Sequence, residues 1–139
     1  MNIAIVGATG NVGRKIIEVL ERKNFSVTNL YLLASAKSSG VKIKFKDSEI
    51  EVSDLENFDF SKADITFFSA GGKISEKYVS AAAKHTVVID NSSYFRMDPD
   101  VPLIVPQVNS KEIKNMKKNI LANPKLFNCS IGNSFKKFE

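Results

Sequence analysis

A single cysteine, Cys129, excludes an intramolecular disulfide framework in this 139-residue chain and argues against a cysteine zinc cluster; no metal site is expected. No apolar run approaches the roughly 18–20 residues that a membrane-spanning helix needs. The opening Met1-Asn2-Ile3-Ala4-Ile5-Val6 has no basic segment ahead of an apolar stretch, so it does not read as a signal peptide. Internal repeats and low-complexity tracts are absent. Basic residues outnumber acidic ones by 20 to 15, yet the lysines are interleaved with acids, as from Lys42 to Glu51. No basic block alternates with aromatics, so the charge reads as a solvated surface that also suits a small anionic ligand, not a nucleic-acid face. Hydrophobic residues make up 43% of the chain, which excludes global disorder. What remains is one soluble domain, because domains commonly run about 100–150 residues. It is expected in the cytoplasm, with no membrane partner.

What is present alternates between strand and helix patterns. Ile3 to Val6 is a short β-branched run. Val12, Ile16, Ile17, Val19 and Leu20 then recur at helical spacing to about Lys23. Residues 27–33 read as a second strand and 34–40 as a loop. Val41 to Phe45 and Ile50 to Val52 alternate around Lys46-Asp47-Ser48, which predicts a hairpin. Asp64 to Phe68 is a strand, and Ile74 to Lys84 a helix with Ser75 and Glu76 as early caps or acids. Thr86 to Ile89 and Asn119 to Ala122 are strands, Leu103 to Val105 a short one, and Ser110 to Lys118 a helix capped by Ser110. This order predicts an α/β, Rossmann-like, doubly wound and mainly parallel sheet.

The strongest local signal is Gly7-Ala8-Thr9-Gly10-Asn11-Val12-Gly13, placed directly between a strand and a helix. Gly7 permits the tight turn, Gly10 lets backbone approach a pyrophosphate, and Gly13 allows close helix–strand packing. Free N–H groups at the helix start would face the anion. NAD-selective sites usually place a carboxylate at the end of the second strand, where it holds the ribose 2′-hydroxyl. Here no Asp or Glu occurs from Asn24 through Lys46, and Ser35, Lys37 and Ser38 stand there instead. Hydroxyls and a cation suit a 2′-phosphate, so NADP is the expected cofactor. Ser69, Ala70 and Gly71 end another strand, where small residues permit close approach to a cofactor. Asp90 to Arg96 follows a strand end as well. Its arginine, one of only three, is a bidentate partner for phosphate or carboxylate.

Taken together, GATGNVG (7–13), LLASAKSSG (32–40), FFSAGG (67–72), IDNSSYFRMDPDVPLIVPQVN (89–109) and ANP (122–124) resemble the N-terminal cofactor domain of the aspartate-semialdehyde dehydrogenases. The resemblance implies NADP-dependent, reversible conversion of aspartyl phosphate to aspartate semialdehyde, in lysine, diaminopimelate, threonine and methionine biosynthesis. Carried over, Thr9, Gly10, Asn11 and Val12 form the pyrophosphate loop, Ser35, Lys37 and Ser38 the 2′-phosphate neighbourhood, and Ser69, Ala70 and Gly71 the strand-end contacts. Arg96 binds the substrate phosphate, Cys129 is the nucleophile, and Asn128 lies beside it. The family implies a homodimer or higher homo-oligomer.

The chain departs from the family pattern in three places. Lys125-Leu126-Phe127 stand as an insertion between Asn123-Pro124 and Asn128-Cys129. The family's catalytic histidine, a substrate-binding arginine, a glutamine near the nucleophile and the main dimer surface belong to a second, catalytic and dimerisation domain that follows this region, and that domain is expected to be absent here. Gln107 stands where the family has glutamate. His85, the only histidine, falls late in a predicted helix and reads as a surface residue, not the missing base. The organisation expected is an NADP-binding domain over 1–124 and an atypical tail over 125–139. The chain is expected to be inactive alone. The alternatives are a stand-alone NADP-binding module without chemistry, or a non-functional remnant of the enzyme.

Overall fold

The computed structural model describes residues 1–124. Along these run β1 (Asn2–Val6), α1 (Asn11–Arg22), β2 (Asn29–Ala34), the hairpin β3 (Lys42–Phe45) and β4 (Ser48–Glu51), and β5 (Ser53–Asp54). They continue with β6 (Ile65–Phe68), α2 (Gly72–Ala82), β7 (Val87–Asp90), α3 (Pro106–Asn109) and β8 (Ile120–Ala122). The main sheet is six-stranded, in the order β5-β2-β1-β6-β7-β8, and its strand pairs are parallel. Numbered within the sheet alone, that order is 3-2-1-4-5-6, the doubly wound arrangement of dinucleotide-binding folds.

Side-chain alternation along the strands divides the core between the two faces. On β1, Ile3 and Ile5 join Leu30, Leu32, Ile65 and Phe67 on one face, under Ile16, Ile17, Val19 and Leu20 of α1. Ala4 and Val6 join Leu33, Phe68 and Val88 on the other, under Val79 and Ala82 of α2. Strands covered on both faces must be apolar at successive positions. This is why Ile3 to Val6 and Ile65 to Phe68 read as unbroken hydrophobic runs. The hairpin takes the place of a helix between β2 and β5: Ile43 and Phe45 pack onto the α1 face, and the Lys46 amide donates to Glu21 of α1 at 2.8 Å.

Two predicted elements differ. Leu103 to Val105 is not a strand but a single parallel bridge from Leu103 to Ala122. Pro102 and Pro106 flank it and cannot donate to a ladder, and the Val105 amide bonds the Asn109 side chain instead at 2.7 Å. The helix predicted over 110–118 is a short α-helix from Pro106, continued as 3₁₀ turns over Ser110–Asn115. Proline opens it because its fixed φ suits the first helical turn, so Ser110 lies inside the helical segment and is not its cap.

Candidate functional site

Because the strands of the main sheet run parallel, the loops that follow them gather at one edge. Gly7 after β1, Ser35 after β2, Ser69 after β6, Asn91 after β7 and Asn123 after β8 all stand there. The strand order reverses between β1 and β6, and in open α/β sheets ligands bind outside the strand ends at that point.

The glycine loop is shaped by contacts that tolerate no side chain. Gly7 has φ +83°, and a Cβ on it would lie 2.9 Å from the backbone C and O of Ser69. The turn is thus pressed against the end of β6, where the Ser69 amide and hydroxyl both donate to the Val6 carbonyl, at 2.9 and 2.8 Å. A Cβ on Gly13 would come within 2.2 Å of the Gly7 carbonyl oxygen. The close approach that Gly13 permits is therefore of α1 onto the loop itself. Gly10 differs, since a Cβ there would meet only the Gly7 oxygen, at 3.4 Å. The first intrahelical bond runs from the Arg14 amide to the Gly10 carbonyl. The amides of Asn11, Val12 and Gly13 lie ahead of it and have no intrahelical acceptor. Arg14 braces the loop by donating to the Thr9 carbonyl at 3.2 Å.

A cleft of about 550 Å³ opens at this point. Of the residues singled out from sequence, Gly7, Thr9, Gly10, Ser35, Ser38, Ser69 and Ala70 line it. Asn11, Val12, Gly13 and Gly71 flank it at the two helix starts without lining it. Lys37 is exposed and also lies outside the lining. Sequence reasoning missed the far wall: Asp54 at the end of β5 with Leu55 and Glu56 after it, and Ile74, Lys77 and Tyr78 on α2. The spacing of 74, 77 and 78 puts those three on one helix face, a signal that was available. Asp54 ends, and Glu56 follows, a strand of only two residues, too short to leave a period. Lys77 pairs with Glu56 at 3.2 Å and lies 4.8 Å from the Tyr78 ring centroid. Tyr78, and after it Glu56, hold the Lys77 ammonium above its usual pKa.

Further along the same edge, Arg96 is half-buried and fixed by main-chain carbonyls. Its Nε donates to Asn123 O and its Nη2 to Asn91 O, each at 3.2 Å. The Asn123 side-chain amide donates to Asn91 Oδ1 at 2.7 Å, closing the ends of β7 and β8 together. Beneath this platform the fully buried Asp90 accepts from the hydroxyls of Ser75 and Ser92 and from the Ser92 amide, at 2.8, 2.7 and 3.0 Å. Ser75, expected as an early cap on α2, thus serves as the tie between that helix and β7. Carbonyls orient the guanidinium without neutralising it, which leaves its charge for an anion. Cys129 and Asn128 lie outside the described residues.

Residues 2–116 match the family model described as Semialdehyde dehydrogenase, NAD binding domain. The chain belongs to the semialdehyde dehydrogenase family. This semialdehyde dehydrogenase domain is 52% identical over 132 residues to the aspartate-semialdehyde dehydrogenase of Campylobacter jejuni, covering 92% of this chain and 38% of that protein. It resembles the crystal structure of aspartate semialdehyde dehydrogenase II from Vibrio cholerae complexed with ASA, with a TM-score of 0.83 and 47% identity, over 88% of this chain and 41% of that one. A structure of the Candida albicans enzyme with NADP superposes with a TM-score of 0.65 at 25% identity, over 87% of this chain and 41% of that one. The chain spans about 38% of the length of the curated relatives it matches. No helix among the described residues is long and apolar enough to cross a membrane.

Proposed function

We propose that this chain is the NADP-binding part of a cytoplasmic aspartate-semialdehyde dehydrogenase, with residues 1–124 as the cofactor domain and 125–139 carrying the nucleophile. The observation that carries the reading is the cleft at the strand-order reversal, where the glycine loop meets Ser35 and Ser38 and the loop directly after β2 carries no carboxylate of its own, the acids of the far wall, Asp54 and Glu56, coming from β5 and the turn behind it. The residues fit the cofactor. Thr9 and Gly10, with the open amides of Asn11 to Gly13, would hold the pyrophosphate, and Ser35, Lys37 and Ser38 the 2′-phosphate. Ser69, Ala70 and Gly71 would bound the nicotinamide side. The solved Candida relative with NADP supports the choice of nucleotide. When bound, the oxidised cofactor accepts a hydride.

The remaining steps fall to the chain's own residues. The Cys129 thiolate adds to the aldehyde carbon of aspartate semialdehyde. After hydride loss the substrate is held as a thioester on Sγ. Phosphate, oriented by the free charge of Arg96 and by Asn128, attacks the thioester carbon and releases the thiolate, giving aspartyl phosphate. Other parts of the enzyme supply the base and complete the substrate clamp, so the chain alone is expected to be inactive and the active form to be a homo-oligomer.

The test is a hybrid in which residues 1–124 replace the matching part of the Campylobacter jejuni relative. It should oxidise aspartate semialdehyde with NADP⁺ and phosphate. Arg96→Lys in that hybrid should raise the KM for phosphate by about tenfold or more, because lysine cannot reproduce the two-pronged contact. A folded hybrid with no NADP-dependent turnover would contradict the reading.

A further inference from the structure

Among the described residues Asp90 is the one buried Asp or Glu, and the proposed chemistry does not use it. Its side chain takes hydrogen bonds from Ser75 and Ser92 and pairs with no Lys or Arg of that region. A buried carboxylate costs far more to desolvate than an amide or a hydroxyl, so a neutral side chain would serve packing better. Both of its oxygens are committed. Oδ1 accepts from the Ser75 hydroxyl and the Ser92 amide, and Oδ2 from the Ser92 hydroxyl. With its hydrogen spent on Asp90, the Ser92 oxygen accepts from the Tyr94 amide at 3.1 Å. A carboxylate only accepts, so the direction of this relay is fixed, and it ends two residues short of Arg96. The Asp90 main chain serves the same target. Its carbonyl accepts the Asn123 amide at 2.8 Å, and Asn91 follows it in the chain. Those two asparagines supply the carbonyls that hold the guanidinium. Phe95, buried beside Arg96, anchors the loop in the core under α2. Apolar burial has no direction and leaves the peptides around it free to turn. Hydrogen bonds do have direction, and here they come from Asp90.

On the reading that Arg96 receives the substrate phosphate, we infer that Asp90 is the positioning residue of that site, aiming the guanidinium through Ser92 and through the carbonyls of Asn91 and Asn123. Ser75 secures the carboxylate from the α2 side and stands outside the relay. A binding side chain is only as well placed as the hydrogen bonds that support it, so loosening the relay costs phosphate affinity before it costs the fold.

The test uses nitrogen-15 NMR of the full chain, whose three arginines, Arg14, Arg22 and Arg96, give three Nε–H signals. Arg14, whose Nε donates to the Thr9 carbonyl at 3.2 Å, is the internal reference for hydrogen exchange. Inorganic phosphate is titrated while the Arg96 signal is followed, and NADP⁺ affinity is measured separately by calorimetry. The variants are Ser92→Ala, Ser75→Ala and Asp90→Asn, which keeps the size of the side chain but turns one acceptor into a donor. Each is first shown folded by its circular dichroism melt, and Ser92→Ala decides where Asp90→Asn does not fold. Ser92→Ala and Asp90→Asn should lower the exchange protection of Arg96 Nε–H by about fivefold, the order of one hydrogen bond's net worth. Phosphate affinity should fall by about as much, while Arg14 protection and NADP⁺ affinity stay within about twofold. Ser75→Ala should lower the urea midpoint but leave Arg96 protection and phosphate affinity within about twofold. Unchanged Arg96 protection and phosphate affinity in Ser92→Ala would overturn the inference, as would an equal loss of both in Ser75→Ala. In either case the parent's response to phosphate would leave the functional reading of Arg96 standing. A folded parent whose Arg96 signal ignores phosphate would remove that reading and the inference with it.

Discussion

A methyl group on Gly13 would lie 2.2 Å from a backbone oxygen, and one on Gly10 would lie 3.4 Å from the same atom. The two glycines of one motif therefore serve different ends, and substitution separates them. Gly13→Ala should cost about 1–3 kcal/mol as an overpacked site that backbone cannot relieve, read as a lower urea midpoint. Gly10→Ala should leave that midpoint nearly unchanged. An equal loss at both positions would contradict the distinction. At this scale the sequence was most legible where backbone geometry restricts the residue type, as at Gly7 and Gly13. It was least legible for Lys77 and Glu56, which come together only after α2 and the turn behind β5 have docked. The buried Asp90 was visible as part of an unusual polar run, but its role as the acceptor tying Ser75 to Ser92 depends on the packing of α2 against β7.

Among the elements, α1 shows how a helix end is written into the chain. Its amphipathic stripe stops at Lys23, and Asn24 then takes φ +48°. The Asn24 amide returns to the Glu21 carbonyl and the Phe25 amide to Leu20, which satisfies the last carbonyls as Phe25 enters the core. Asn24→Val should destabilise the chain by about 1–2 kcal/mol, the cost of a left-handed β-branched residue. Asn24→Gly should be neutral or better, and chemical denaturation of both variants checks this. The long β7–β8 connection is held differently, by Lys118 on Asp98 at 3.0 Å and Lys117 on Asp100 at 3.0 Å. The Asp100 amide, and after it Lys118, lower the Asp98 pKa below its ordinary 3.8. A carboxylate lowered by folding stabilises above its unfolded pKa and loses that contribution as pH falls through the folded one. Amide exchange protection in 98–101 should thus be steady at neutral pH, after correction for intrinsic rates, and weaken only below about pH 4. Weakening already near pH 6 would contradict the assignment. The same connection shows where periodicity gave out. Prolines on both sides of Leu103 to Val105 and a helix of one turn leave no repeat long enough to read, whereas β1, α1, β6 and α2 each carry one.

For the molecule as a whole, the parallel order β5-β2-β1-β6-β7-β8 is what brings the glycine loop, a pair of serines and an orienting platform for Arg96 to one edge. The alternation of strands and helices made that architecture legible. The alternation around Lys46-Asp47-Ser48 likewise made legible the hairpin that replaces a crossover helix, whereas the placement of Asp54 and Glu56 by a two-residue strand was not legible. The central claim is that this edge is a cofactor site selective for NADP, and calorimetry of the purified full chain with NADP⁺ and NAD⁺, using Gly10→Val as the control, tests it most directly. The account predicts NADP⁺ binding at least about tenfold tighter than NAD⁺, lost in a variant that keeps the parent's circular dichroism spectrum. A folded chain that binds neither nucleotide, or binds both equally, would contradict it.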